Sequence, residues 1–120
     1  MATKDFNTAT LTPDVLYSGR IAATATNLYT VQAGQMARLY TLTLCSTNGS
    51  AVNIDVYVVP SDQSVADQYK IINSYSLAAG DSISLSQYVS GMMLGEGDSI
   101  QAIASTTNVT NAVLTGVVGA

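Results

Sequence analysis

Few side chains in this sequence are equipped for chemistry: eight carboxylates, one thiol at Cys45, seven tyrosine hydroxyls and no histidine. The missing imidazole removes the commonest general base, the usual partner of a nucleophilic serine and the commonest zinc ligand together. Glu96 and Asp98 stand beside Gly95 and Gly97, and Asp81 occupies the matching place in a sister turn. The paired acids of a glycosidase need a cleft and a raised pKa, whereas acids next to turn glycines serve as solvated caps, which is the reading adopted here. Residues 95–98 and the Asp62/Asp67 loop offer oxygens to calcium, yet neither matches an EF-hand loop or a tandem calcium-binding repeat. Cys45, at the end of an apolar run, reads as a small buried hydrophobe, and one thiol makes no internal bridge. The sequence therefore predicts no catalytic residue, no metal, no cofactor and no enzymatic activity.

What positions the remaining polar groups is a surface of unusual composition. Charged residues make up 10% of the chain, against about 25% in an average globular protein; Ser, Thr, Asn and Gln take their place. Hydroxyls and amides are easier to bury against a neighbour than Lys and Glu, so the composition points to an assembly. One Glu and two Lys leave little for the polar face of a surface helix, and helix is expected to be minor. With a net charge of −4 and no cluster of Lys or Arg, nucleic acid is not an expected partner. No apolar run approaches the roughly 18 residues that span a bilayer, and the N-terminus lacks an apolar signal core, so no membrane partner is expected. The Asn108-Val109-Thr110 sequon then reads as a chance match in a Thr-rich chain.

At 120 residues the chain suits one domain with one core. Residues 1–19, rich in Thr and interrupted by Pro13, read as an extended N-terminal arm that needs a neighbour to hold it; residues 20–120 read as the folded domain. From Arg20 onward, short β-branched and aromatic runs separated by turn clusters predict an all-β protein. The expected form is a single antiparallel β-sandwich, jelly-roll or Ig-like, of seven to eight strands. In residues 51–59, Val52, Ile54, Val56 and Val58 alternate with Asn53, Asp55 and Tyr57. In residues 36–45 the same alternation puts Arg38, Tyr40, Leu42 and Leu44 on one face and Leu39, Thr41 and Thr43 on the other. Asn48-Gly49 between these runs predicts a tight hairpin that pairs them. Further strand character lies at 21–25, 29–31, 69–77, 82–89, 99–104 and 112–118. Leu-x-x-Gly-Asp-Ser-Ile occurs at 77–83 and again at 94–100, with a weaker copy at 31–34, and reads as repeated turn chemistry.

Seven tyrosines against one Phe and no Trp suggest rings with one wet or hydrogen-bonded end, as both interfaces and sugar sites use. Tyr57, on the polar side of its strand, is the leading contact residue, and Met92-Met93 makes a plastic patch. Tyr17, Arg20, Tyr57, Tyr88, Met92 and Met93 are the candidate interface residues.

Three stretches and one turn carry a resemblance: Leu28-Tyr29-Thr30-Val31-Gln32-Ala33-Gly34, residues 37–47, residues 52–60, and Gly97-Asp98-Ser99-Ile100 leading into Gln101-Ala102-Ile103-Ala104-Ser105. Over about residues 28–118 the sequence resembles the small β-sandwich accessory proteins of tailed-bacteriophage virions. The resemblance implies a structural protein located in the virion. Its leading form is a capsid decoration or cement protein, a homotrimer partnered by the major capsid protein or another virion protein. The alternative is a tail- or fibre-associated module that adheres to host-surface glycans. Acidity favours the outside of the capsid, since a protein lining packaged DNA gains from basic residues.

Overall fold

The computed structural model describes residues 11–119. Nine strands follow one another: β1 (Leu11–Ile21), β2 (Thr26–Thr30), β3 (Met36–Ser46), β4 (Val52–Val59), β5 (Lys70–Leu77), β6 (Ser82–Ser84), β7 (Met93–Leu94), β8 (Ser99–Ala104) and β9 (Thr110–Gly119). Helix among the described residues is limited to single 3₁₀ turns at Asp67–Tyr69 and Ser86–Tyr88. A front sheet runs β1-β9-β3-β6, with β7 also against β3, and a back sheet runs β2-β8-β4-β5. All pairings are antiparallel, and they nest: β1 with β9, β2 with β8, β3 with β6 and β7, β4 with β5. A chain paired first with last and so on inward is one long ribbon wrapped round itself. That is the jelly roll of the two sandwich types expected. β6 and β7 share one position, beside opposite ends of β3, so nine strands fill eight places.

The core lies between the sheets, where Ile21, Leu39, Leu42, Leu44, Ile54, Ile100 and Leu114 are completely buried. The hairpin expected between β3 and β4 does not form: the two belong to different sheets, and residues 47–51 cross from front to back as an arch. Gly49 lacks the positive φ that a two-residue hairpin turn demands. Alternation says which face of a strand is buried; it does not say which strand lies alongside. Within β3 the register shifts between Leu39 and Thr41. This bulge lets Tyr40 and Thr41 both face outward and brings Leu39, Leu42 and Leu44 all inward, in place of the unbroken alternation read from the sequence.

β1 pairs with β9 from Leu11 to Ile21, so residues 11–19 of the expected arm form an edge strand of the front sheet, while residues 1–10 lie outside the described residues. Pro13 fits because one side of an edge strand carries no ladder. Residues 22–25 are a turn rather than a strand, closed by Ala22 N–H donating to Thr26 Oγ1 at 2.9 Å. The run expected at 82–89 breaks after Ser84. Leu85 N–H donates to the Leu42 carbonyl at 2.8 Å, and Leu42 N–H donates to Ser86 Oγ at 3.2 Å. Leu39 N–H donates to the Met92 carbonyl and Gly91 N–H to the Leu39 carbonyl, both at 2.9 Å. Residues 85–92 thus form a strap that satisfies β3 where its bulge interrupts a regular ladder.

The repeated turn has one geometry at all three copies. Gln35, Asp81 and Asp98 N–H groups donate to the carbonyls of Gln32, Ala78 and Gly95 at 3.0–3.1 Å. Gly34, Gly80 and Gly97 hold φ of 77°, 68° and 84°, the conformation a type II turn reserves for glycine.

Candidate interaction face

Directly opposite residues in an antiparallel pair share a face, so register sorts the side chains of the front sheet. Val15 and Thr41 lie opposite Thr115, Ser18 and Thr43 opposite Val113, and Arg38 opposite Met93. All of these point away from the core. Val15 is 54% exposed, Tyr40 41%, Met93 56% and Val113 37%; Tyr88, 47% exposed, lies on the strap at the edge. These five are all the exposed large hydrophobics among the described residues. They are gathered on one side of the sandwich, between hydroxyl-bearing residues. The Thr41 and Thr115 hydroxyls hydrogen-bond to each other.

The charges are as one-sided. Arg20 and Arg38 project from this face, and no outward position on it carries a carboxylate. Asp14, the one acid within these strands, lies opposite Gly116, so it projects from the other side of the sheet, where it stays exposed along the β1 edge. It acts instead on Tyr29, whose hydroxyl pKa is raised first by burial and then by the Asp14 charge. The Arg38 guanidinium lies 5.8 Å from the centre of the Tyr40 ring, close enough for a cation–π contact. Arg20 donates to the Asn108 carbonyl. Cys45, expected to be buried, is half-buried on the outward side of β3.

Gly116 is what allows the strands of this face to approach. A β-carbon there would stand 2.5 Å from the Arg38 carbonyl oxygen and 3.1 Å from Leu16 Cδ1. The bulges of β1 and β3 flank it on either side.

The outward side of the back sheet has another character. Lys70 Nζ lies 3.8 Å from Asp55, 3.6 Å from Asp67 and 3.2 Å from Asn73 Oδ1, and 5.5 Å from the centre of the Tyr57 ring. Desolvation lowers the Lys70 pKa, but Asp55, then Tyr57 and Asp67, more than offset it, and the net shift is upward. A shallow depression of about 350 Å³ is lined by Asp67, Lys70, Ile71 and Asn73.

The candidate interface residues are therefore scattered. Met93 and Arg20 are on the front face and Tyr88 at its border; Met92 is half-buried against the core. Tyr17 packs on the core and donates its hydroxyl to the Arg20 carbonyl at 2.6 Å. Tyr57, expected to be free, is 5% exposed beneath Lys70. Val15, Tyr40, Val113 and Arg38 were missed. The bulge hid Tyr40, and Val15 fell in the expected arm.

The turn acids act as hooks. Asp98 accepts from Ser61 N–H at 3.0 Å and Gly95 N–H at 2.9 Å, Glu96 from Gly34 N–H at 2.5 Å, and Asp81 from Ser82 N–H at 2.9 Å. Among the described residues, no three His, Cys, Asp or Glu side chains gather as a metal site would require.

No protein-family model matches the sequence, and no curated protein is detectably similar to it. Solved structures are similar in fold. One comes from work describing Bacillus endospore appendages as disulfide-linked pili; it is 13% identical, with 99% of this chain and 96% of that chain covered and a TM-score of 0.54. Two are from infectious bursal disease virus, one from its viral particle and one from the Gt strain, at 7% and 6% identity and a TM-score of 0.46 each. They cover 92% and 94% of this chain but only 31% and 33% of their own. Identities this low make the likeness one of fold.

Proposed function

We propose that this protein is a structural subunit of a multi-subunit particle, and specifically a decoration or cement protein on the outer capsid lattice of a tailed bacteriophage. The front face carries the proposal: exposed Val15, Tyr40, Met93 and Val113 share a sheet surface with two arginines, many hydroxyls and, among the described residues, no outward carboxylate. Exposed apolar side chains gathered on one face point to an interaction site, and low charge keeps the desolvation penalty of covering it small. The resemblance over residues 28–118 supports the phage virion. The fold likeness to an appendage subunit supports the coarser reading, in which this jelly roll is a building block. Glycan adhesion has less support, because Tyr57, the leading contact residue read from the sequence, is buried.

The mechanism is mass action. A protein that binds only the assembled lattice stabilises it by about 2.7 kcal/mol at a hundredfold excess over Kd. Purified protein added to particles lacking it should bind in hundreds of copies, by quantitative gel, and raise their disruption temperature. Failure to bind would end the decoration reading.

A further inference from the structure

We infer that the front face docks on a second copy of this chain, through the acidic outer side of that copy's back sheet and its 60–69 loop. The inference rests on the structural-subunit reading and specifies its contact. Charge complementarity within the chain is the main observation. Among the described residues, Arg20 and Arg38 stand on a face with no outward carboxylate, while the opposite side holds Asp55 and Asp67, with Asp62 in the adjoining loop, against Lys70. The Asp67 side chain is 95% exposed, and its 3.6 Å approach to Lys70 is a surface pair of the kind that contributes little. Its carboxylate is free to accept the planar fork of Arg38, which is already held over Tyr40.

Front face on front face would bring four arginines together with no counter-charge, and like-charge juxtaposition works against such a pairing. Size suits a modest contact: three long strands at about 4.8 Å spacing and about 33 Å in length, with β6, β7 and the strap filling the fourth position, outline about 600 Å², below the roughly 800 Å² per partner of a standard stable interface. A contact between two different surfaces is heterologous, and repetition produces a ring if the rotation closes and a filament if it does not.

The test uses the full chain as wild type, Arg38→Glu, Asp67→Lys and an equimolar mixture of the two variants. Circular dichroism establishes that each is folded. Mass is measured by light scattering at low salt and at about 0.5 M salt, where screening is strong. Wild type should exceed the 12.4 kDa of one copy and lose mass in high salt. Each variant alone should associate at least tenfold more weakly, and the mixture should recover association, because each variant supplies the complement of the other's altered surface. Association that neither variant weakens, or that mixing fails to restore, overturns the contact and leaves the structural-subunit reading standing. A wild type that stays monomeric at every concentration overturns the contact as well. Failure of particle binding is a separate result, read in the preceding experiment.

Discussion

Gly116→Ala would drive a β-carbon to 2.5 Å from the Arg38 carbonyl oxygen, where β9 runs between the bulges of β1 and β3. Even the short C–H···O contacts of β-sheets keep carbon and oxygen at about 3.3 Å or more, so the strands must separate by several tenths of an ångström. The second neighbour, Leu16 Cδ1 at 3.1 Å, can turn aside. The carbonyl cannot, because it is fixed in the backbone of β3. Overpacking costs about 1–3 kcal/mol, and the upper half of that range applies when backbone must yield. For a domain of this size it corresponds to a Tm lower by roughly 10 °C. Gly49→Ala is the control: a β-carbon there meets nothing within 4 Å, and its φ is not positive. Its stability should change by no more than about 0.5 kcal/mol. Urea titrations followed by far-ultraviolet circular dichroism compare the two. Equal midpoints would refute the claim that Gly116 is what allows the strands of the front face to approach.

Other substitutions separate core, hooks and face. Leu42→Ala, at a fully buried position, should lower unfolding free energy by about 2–5 kcal/mol in the same titration. Asp98→Ala removes the acceptor of two backbone N–H groups and should cost about 2 kcal/mol, whereas Asp81→Ala, with one local bond, should cost well under half of that. Val15→Ser should leave the urea midpoint nearly unchanged yet weaken self-association measured by light scattering. With no histidine, stability should show no imidazole titration step near neutral pH. Tyr29 and Lys70 both have raised pKa values, so between the unfolded and folded values the native state holds more protons than the unfolded state. Their contribution is therefore complete below about pH 10 and is lost as pH rises through the folded values, and Asp14→Asn should shrink the Tyr29 share. A series of urea midpoints across alkaline pH checks the direction.

Much of the architecture was legible in the residues. Alternation located β4, and Leu-x-x-Gly-Asp-Ser-Ile located turns whose glycines take positive φ in the structure. Residues 99–104 were read as a strand with both ends correct. Pairing was not legible, because Asn48-Gly49 suits a hairpin locally while the apolar faces of β3 and β4 are satisfied across the core from each other. The candidate interaction face was only partly visible. Met93 and Arg20 stood out by type, but one inserted residue at the β3 bulge turned Tyr40 away from the core side shared by Leu42 and Leu44. β1 is polar and contains Pro13, features that an edge strand tolerates and that in sequence mimic an irregular arm. Tyr57 was misplaced for a related reason: its position points outward, yet Lys70 of the neighbouring strand lies over its ring.

Oxidative footprinting of the assembled protein against the dissociated chain tests most directly whether the front face is the buried surface. Met93 and Tyr40 should become protected on assembly, together with Tyr69 beside the acidic loop. Met93 and Tyr40 reacting as fast in the assembly as in the free chain would contradict the account.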